Sequence, residues 1–419
     1  MNLRRNTLWS LAGAGVPLLA AGFLIPSTLR QLGNEAFGVL TLIWALIGYF
    51  SLFDMGVGRA LTVELAKLRE ANDPLKISLT LKAGLLITLA AGLVGALVML
   101  TLAPHLAQGW LKISPGLSPD AMLSFQVAAV GVIPTTVTSG LRGALEGLGH
   151  FALSNLNRMA LGVGMFVLPA LVLAGHGQHL WVITLYLVAA RFVVALAAAF
   201  TLRRYLRFSS RGLQAHLRPL VHYGTWVTVS GIVGPLMVYG DRFFVSATLG
   251  AGLLPLYAIP QEALQRLLIV PAALCAALLP QLSALCPQAA APHFRRHYRR
   301  VAVWMFVVCG LTALVAFPAM AWWLSEDFAR QALPVALVLA LGVWLNATAF
   351  VPYTLLHANG NPRLTALFHL FELGFYLIAL FLLTPRFGLV GAAFAWTGRV
   401  ALDLALLHNA SIKLLRSRQ

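Results

Sequence analysis

The hydrophobic pattern of the chain is a succession of long apolar runs separated by short polar segments. Each run has about 20 mostly apolar residues, which is the length that a helix needs to cross roughly 30 Å of hydrocarbon. The pattern therefore predicts an all-α polytopic membrane protein with about 12 transmembrane helices. The twelve predicted spans are residues 8–29, 36–57, 81–103, 121–141, 156–175, 179–201, 219–240, 254–279, 301–324, 332–356, 364–383 and 387–411.

The N-terminal sequence MNLRRNTLWSLAG continues into the first of these runs without a small-residue cleavage site. We interpret it as a first transmembrane helix and not as a removable signal peptide.

Composition supports a membrane protein and argues against an enzyme. Of the 419 residues, 59% are hydrophobic and 10% charged, whereas about a quarter of the residues of a soluble domain are charged. No HExxH, GxSxG or Walker motif is present, and the longest connecting segments, 58–80 and 104–120, are too short for a catalytic domain. The three cysteines, Cys275, Cys286 and Cys309, lack metal-binding or redox spacing. We expect no catalytic residues, no cofactor and no bound metal.

The distribution of positive charge predicts the orientation of the chain. With the N-terminus inside, 22 Lys and Arg fall on the inner side and five on the outer side, namely Arg30, Lys112, Arg242, Arg330 and Arg386. Because Lys and Arg are enriched in cytoplasmic loops, both termini are predicted to be cytoplasmic. The net charge of +17 then reflects topology and contact with anionic membrane lipids, and we expect no nucleic-acid partner.

A weak internal repeat divides the chain into two halves. The dipeptides Leu32-Gly33 and Leu249-Gly250 lie 217 residues apart, and GHFALS (149–154) resembles GNPRLT (360–365). Six spans precede the basic segment 202–218 and six follow it, so we predict six-helix bundles at 1–201 and 219–419 joined by a cytoplasmic linker at 202–218. Two such halves form a parallel pseudo-twofold repeat, an arrangement known in transporters, with substrate between them.

Charged residues inside the apolar runs are the candidate functional residues. The stretch AIPQEALQRLLIVPAALC (258–275) carries Glu262 and Arg266, which are four residues apart and therefore share a helix face. A charge near the bilayer centre costs at least about 3 kcal/mol, so we expect this pair to face an interior cavity. The other intramembrane charges are Arg191, Asp241, Glu372, Arg399 and Asp403.

Two interpretations of these charges stay open. Glu262 with Arg266 and Arg399 with Asp403 have the i,i+4 spacing of ion pairs that only join helices, as do Arg142 and Glu146. Arg191 and Glu372 have no partner nearby in sequence, which favours binding or pairing across helices. Guanidinium groups suit an anionic substrate, and carboxylates either neutralise them or carry protons.

Two segments carry a resemblance to a known family. The first is IPSTLRQLGNEAFGVLTL (25–42), which is followed by GYFSLFDMGVGRALTVELAK (48–67) with Asp54 and Arg59. The second is YGDRFFVSATLGAGLLPLYAIPQEAL (239–264). These segments resemble the oligosaccharide and polysaccharide flippases of the multidrug/oligosaccharidyl-lipid/polysaccharide (MOP) exporter superfamily, and the resemblance extends over nearly the whole chain.

The resemblance implies a multi-pass protein of the bacterial inner membrane that moves a polyprenyl-diphosphate-linked oligosaccharide to the periplasmic leaflet. A polysaccharide polymerase or ligase would act downstream. The implied diphosphate-binding residues are Arg30, Arg59 and Arg266, joined by Arg191 and Arg399 from the intramembrane charges. Charge partners or ion-coupling residues are then Glu262, Asp241, Glu372, Asp403 and Asp54.

Two other transport functions fit the same superfamily. A drug or small-molecule antiporter coupled to an ion gradient is expected to have a more acidic cavity. The lipid II flippases typically carry two more helices at the C-terminus, whereas this chain ends at RSRQ.

Overall fold

The computed structural model describes residues 3–50, 56–175, 177–207, 212–285 and 287–416. Within these ranges the chain is helical and contains no strand. Asp54, which was predicted to be a charge partner, and the cysteine Cys286 lie outside the described residues. Cys275 and Cys309 are buried free thiols.

The described part of the first half contains six α-helices. The long helix α1 is broken at Gly33, where the backbone adopts φ 76° and ψ 168°. These elements are α1 (Leu3–Phe50), α2 (Val57–Glu70), α3 (Pro74–His105), α4 (Ser118–Gly147), α5 (Phe151–Gly175) and α6 (Leu180–Leu202).

The described part of the second half also contains six α-helices. A 3-10 turn at Arg266–Leu268 joins α8 to α9, and a break at Gly388 divides the last helix. The elements are α7 (Leu213–Leu249), α8 (Leu254–Gln265), α9 (Ile269–Ser283), α10 (Pro287–Trp323), α11 (Glu326–Ala358) and α12 (Pro362–Arg416).

These helices correspond to the twelve predicted spans. The two segments of α1 count as two spans, as do the two segments of α12, and α8 and α9 together count as one. Helix α2 is then counted with the second span. Eight helices of the described part are long and apolar enough to cross a membrane. The predicted fold class, an all-α membrane protein of two six-helix halves, is confirmed.

Two sequence-based expectations about helix ends were wrong. Segment 58–80, expected as a loop, contains α2, because Val57, Leu61 and Leu65 form an apolar face that is buried in the core of the first half. Arg242, expected outside the membrane, lies within α7, which continues to Leu249, and only 3% of its side chain is exposed.

One helix in each half makes most of the packing contacts. In the first half α4 packs against α2, α3 and α6, and in the second half α11 packs against α8, α9, α10 and α12. Small residues permit this close packing in a membrane protein. A Cβ added at Gly143 of α4 would lie 1.9 Å from the carbonyl oxygen of Gly58 in α2, so no larger residue fits without backbone movement.

The repeat detected in the sequence has a backbone counterpart. Gly33 and Gly250, 217 residues apart, both have positive φ, and each separates the first and second spans of its half. Gly149 and Gly360 likewise have positive φ, after α4 and after α11. Glycine adopts this conformation without the steric cost of a Cβ, which is why these turns carry it.

By internal contacts the chain divides into two compact units, Met1–Tyr239 and Gly240–Gln419. The boundary falls within α7. The domain limits predicted from the sequence, with a linker at 202–218, stay a prediction.

Candidate intramembrane charge sites

The first group of polar side chains lies where the end of α7 meets α8. We call it the α7–α8 cluster, and it consists of Asp241, Arg242, Tyr257, Gln261, Glu262 and Arg266. Asp241 is fully buried. Its carboxylate accepts hydrogen bonds from the Tyr257 hydroxyl at 2.7 Å, the Gln261 amide at 2.6 Å and the backbone N–H of Arg242 at 2.8 Å. These three donors explain how a carboxylate is kept in an apolar helix bundle.

Glu262 joins two arginines within this cluster. It forms an ion pair with Arg242 at 2.6 Å and a second with Arg266 at 3.0 Å. The Glu262–Arg266 pair predicted from the i,i+4 spacing is therefore confirmed. The pair with Arg242 comes from α7, 20 residues earlier in the chain, and was not predicted.

Exposure changes along this chain of charges. The side chain of Arg242 is 3% exposed, that of Glu262 38% and that of Arg266 54%. Arg266 begins the 3-10 turn between α8 and α9. The cluster thus runs from a buried end at Asp241 to an accessible guanidinium at a helix interruption.

The second group lies on the two segments of α12, on either side of the break at Gly388. We call it the α12 cluster, and it consists of His369, Glu372, Tyr376, Arg399 and Asp403. The guanidinium of Arg399 lies 3.8 Å from the Glu372 carboxylate. One ligand atom each of His369, Glu372 and Asp403 lies within 4.8 Å of the others, a spacing suitable for holding a cation.

The α12 cluster is incompletely hydrogen-bonded. Glu372 is fully buried, and neither of its carboxylate oxygens accepts a hydrogen bond within the described part of the chain. The same holds for Oδ1 of Asp403. Two carboxylates face one guanidinium, so one negative charge is left for a proton or a bound cation to neutralise.

Tyr376 lies beside the guanidinium of the α12 cluster. Its fully buried ring has its centroid 5.9 Å from the Arg399 guanidinium carbon. Because α12 also packs against α8, a change in one cluster is in a position to affect the other.

Arg191 lies in α6, in the first unit. It is buried and donates a hydrogen bond to the carbonyl oxygen of Leu187 at 2.7 Å. No carboxylate of the described residues forms an ion pair with it. Arg191 has no charge partner nearby in sequence, and it has no ion-pair partner among the described residues either.

The two remaining arginines are at helix ends. Arg30 is exposed near the break at Gly33, and its Nε donates to the carbonyl oxygen of Pro26 at 3.3 Å. Arg59 is exposed in the first turn of α2. Neither belongs to the α7–α8 cluster or the α12 cluster.

Sequence reasoning missed four residues of these clusters as site residues: Arg242, Gln261, His369 and Tyr376. Arg242 was assigned to a loop, although the apolar residues FFVSATL after it indicate that the helix continues. His369 and Arg399 are 30 residues apart, and no periodicity connects them. The break at Gly388 brings them together.

Comparison with known proteins identifies the family. Residues 3–286 match the family model described as polysaccharide biosynthesis protein. Over 418 residues, covering 97% of both chains, the sequence is 31% identical to a putative O-antigen transporter of Shigella flexneri.

Solved structures show the same fold at low sequence identity. An inward-facing MATE-family multidrug transporter of the MOP superfamily matches with a TM-score of 0.74 and 13% identity, over 98% of this chain and 99% of that one. The lipid II flippase MurJ matches with a TM-score of 0.67 and 13% identity, over 98% and 89%. This multi-pass membrane protein belongs to the polysaccharide biosynthesis protein family, within the MOP transporter fold.

Proposed function

We propose that the protein is a flippase for a polyprenyl-diphosphate-linked oligosaccharide. In this proposal it lies in the bacterial inner membrane with both termini in the cytoplasm and carries substrate to the periplasmic leaflet, where a polymerase or ligase consumes it. Family membership and the full-length similarity to a putative O-antigen transporter support the substrate class.

The observation that carries the proposal is the accessible guanidinium of Arg266. An arginine inside an apolar span is expensive unless it has a function or a partner, and Arg266 is anchored by Glu262 yet 54% exposed. A guanidinium donates two parallel hydrogen bonds to phosphate oxygens and stays charged at any depth. We therefore assign Arg266 to the diphosphate, with Arg242 behind Glu262 holding the carboxylate in place.

The other predicted arginines have lesser places in the proposal. Arg191 is a second candidate contact, because no described carboxylate neutralises it. Arg30 and Arg59 suit the entry and exit of the headgroup at the ends of the spans. Arg399 belongs with Glu372 in the α12 cluster, and we assign it to coupling.

The coupling step uses the incompletely bonded α12 cluster. Uptake of a proton or a cation by Glu372, Asp403 and His369 would remove the unbalanced negative charge. We propose that this event biases an alternating-access transition between inward-open and outward-open states. Asp241, whose carboxylate accepts three hydrogen bonds, holds α7 against α8 during the cycle.

The test is translocation of a fluorescent polyprenyl-diphosphate glycan in proteoliposomes, measured with a membrane-impermeant quencher. We expect Arg266→Gln to lower the initial rate at least about tenfold, because a charge-assisted hydrogen bond contributes about 1.5–3 kcal/mol. The matched control is Arg330→Gln. Arg330 has the same i,i+4 ion pair, with Glu326, but at the start of α11 and fully outside the predicted span.

Equal rates for wild type, Arg266→Gln and Arg330→Gln would reduce the Glu262–Arg266 pair to helix packing. If the wild type does not translocate the glycan at all, a drug antiporter becomes the better proposal. The corresponding assay is ion-gradient-driven efflux of a cationic dye.

A further inference from the structure

A basic cluster outside the charge sites lies at the ends of three helices of the first unit. Its members are Arg69 near the end of α2, His150 between α4 and α5, and Arg204 just after α6. Arg204 Nη2 lies 2.6 Å from His150 Nε2, and the Tyr205 hydroxyl lies 2.9 Å from the same nitrogen. Arg204 and Tyr205, which follow His150 by 54 and 55 positions in sequence, thus both contact its imidazole.

Arg69 completes this cluster from the other side. Its guanidinium packs on the backbone of Gly149. A Cβ added at Gly149 would overlap with Nη1 of Arg69. Gly149 has a φ of +86°, a backbone conformation that favours glycine. This turn places the two guanidinium groups around His150.

The two guanidinium groups of the cluster have no ion-pair partner in the part of the chain that the structure describes. Glu146, one turn before His150, is held by Arg142 at 3.0 Å and by the Ser154 hydroxyl at 2.8 Å. Among the described residues, no carboxylate forms an ion pair with Arg69 or Arg204. Burial, Arg204 and Arg69, in that order, lower the pKa of His150 below its usual value, so the imidazole is neutral at pH 7.

Backbone dipoles add to the positive potential at this point. Helix α5 begins at Phe151, directly after His150, and runs for 25 residues. The first N–H groups of a helix have no intrahelical acceptor and carry about half a positive charge. Two guanidinium groups, neither in an ion pair with a described carboxylate, and a helix N-terminus form an anion-binding arrangement.

The surroundings of the cluster indicate a lipid as the source of the anion. The last turns of α6 expose the apolar side chains of Val193, Leu196 and Phe200. The guanidinium of Arg203 then covers the Phe200 ring at 3.6 Å from its centroid, immediately before Arg204. An apolar helix face ending in arginines is the pattern of a membrane–water boundary.

We propose that Arg69, Arg204, His150 and the N-terminus of α5 bind the headgroup phosphate of an anionic phospholipid. The site is separate from Arg266 and does not depend on the proposed flippase function. The expected ligand has a phosphate with a net negative charge and acyl chains lying along α6. Phosphatidylglycerol is the probe of choice.

The test is native mass spectrometry of the full-length protein in detergent, titrated with phosphatidylglycerol or with phosphatidylcholine. We expect the first lipid to be retained preferentially by the wild type. The double variant Arg69→Gln/Arg204→Gln should bind it at least about thirtyfold more weakly, because charge-assisted hydrogen bonds to the phosphate are lost. The thermal unfolding midpoint without added lipid verifies folding, and the single variant Arg204→Gln replaces the double variant if that one fails to fold.

The matched control is Arg295→Gln/Arg299→Gln. It removes the same charge from two exposed arginines of α10, which the charge distribution assigns to the same side of the membrane. We expect a change of less than about threefold, since only long-range attraction is lost. Equal losses in the two double variants, or complete displacement of the lipid by millimolar inorganic phosphate, would overturn the proposal.

A pH titration adds a second, independent readout. Because the pKa of His150 is lowered, its imidazole gains a proton only below the usual histidine pKa of about 6.5. Protonation adds a positive charge beside the phosphate, so affinity for phosphatidylglycerol should rise as the pH falls from about 7 to 5. The groups that face this imidazole are Arg69, Arg204 and Tyr205, while Glu146 is engaged by Arg142. In His150→Gln the dependence should disappear, and an unchanged pH profile in that variant would contradict the role of the imidazole.

Discussion

The two charge clusters of the second unit differ in how completely their carboxylates are satisfied. Asp241 in the α7–α8 cluster is fully buried and accepts three hydrogen bonds, whereas Glu372 in the α12 cluster is equally buried and accepts none from the described residues. A complete buried network rigidifies a structure, while an incomplete one is costly and is typical of a functional site. The comparison separates a carboxylate that holds helices together from one that is ready to take up a proton or cation.

The largest expected effect comes from removing Asp241. In Asp241→Ala three buried donors lose their acceptor and Arg242 loses a nearby negative charge. We expect a loss of at least about 3 kcal/mol in the free energy of unfolding, measured by thermal or denaturant unfolding in detergent. The control Asp327→Ala, at an exposed position in the first turn of α11, should cost less than about 1 kcal/mol. Equal stabilities of the two variants would contradict a structural role for Asp241.

Tyr257→Phe removes one donor to Asp241 and keeps the ring. Because a hydrogen bond to a charged group contributes about 1.5–3 kcal/mol, we expect a loss of stability in this range. Tyr298→Phe is the control, since the Tyr298 ring stacks on Phe294 and contacts the tilted ring of His408, while its hydroxyl has no partner among the described residues. A loss as large in Tyr298→Phe would mean that ring packing, and not the hydroxyl group, is being measured.

Gly342→Ala tests whether packing positions the α12 cluster. A Cβ at this residue of α11 would lie 2.4 Å from the ring of Trp396, three residues before Arg399, and 2.7 Å from the hydroxyl of Thr397, two residues before it. We expect overpacking to cost about 1–3 kcal/mol and to alter the pH dependence of transport. Gly374→Ala, with no atom within 4 Å of the added Cβ, is the control. A fully wild-type pH profile in Gly342→Ala would indicate that the cluster tolerates displacement of its helix.

The smallest effect on stability is expected for Glu372→Gln. The substitution breaks no hydrogen bond among the described residues and one ion pair at 3.8 Å, and it removes the repulsion between the neighbouring carboxylates of Glu372 and Asp403, so we expect a change below about 1 kcal/mol. Its effect on transport should be specific, because the group that takes up charge is neutralised. We expect glycan translocation to lose its response to an imposed pH gradient. The translocation rate is measured in proteoliposomes, with Asp241→Asn as the comparison variant.

A Glu372→Gln variant that keeps the full response would remove the α12 cluster from the coupling mechanism. A large loss of stability in the same variant would show that Glu372 is structural, as Asp241 is. Either result would eliminate the contrast between the two clusters.

Local reasoning identified several parts of the candidate site. The Glu262–Arg266 and Arg142–Glu146 pairs follow from i,i+4 spacing, which holds wherever a helix is continuous. Spacing did not reveal that Glu262 also joins Arg242 or that Arg399 lies beside Glu372. These partners are on separate helical segments, and no local pattern specifies which helix faces meet.

The sequence by itself determined the membrane class, the twelve spans and the two halves. In a bilayer every backbone polar group must be hydrogen-bonded within the protein, and long apolar runs of this length satisfy that requirement as helices. The sequence also determined the glycines at equivalent turns, since positive φ favours glycine over other residues. Tertiary structure alone decided that α2 continues as a helix, that Arg242 is buried, and that one carboxylate is satisfied while another is not. Those outcomes depend on which side chains converge from distant helices, and the energy of a buried charge is set by the groups around it.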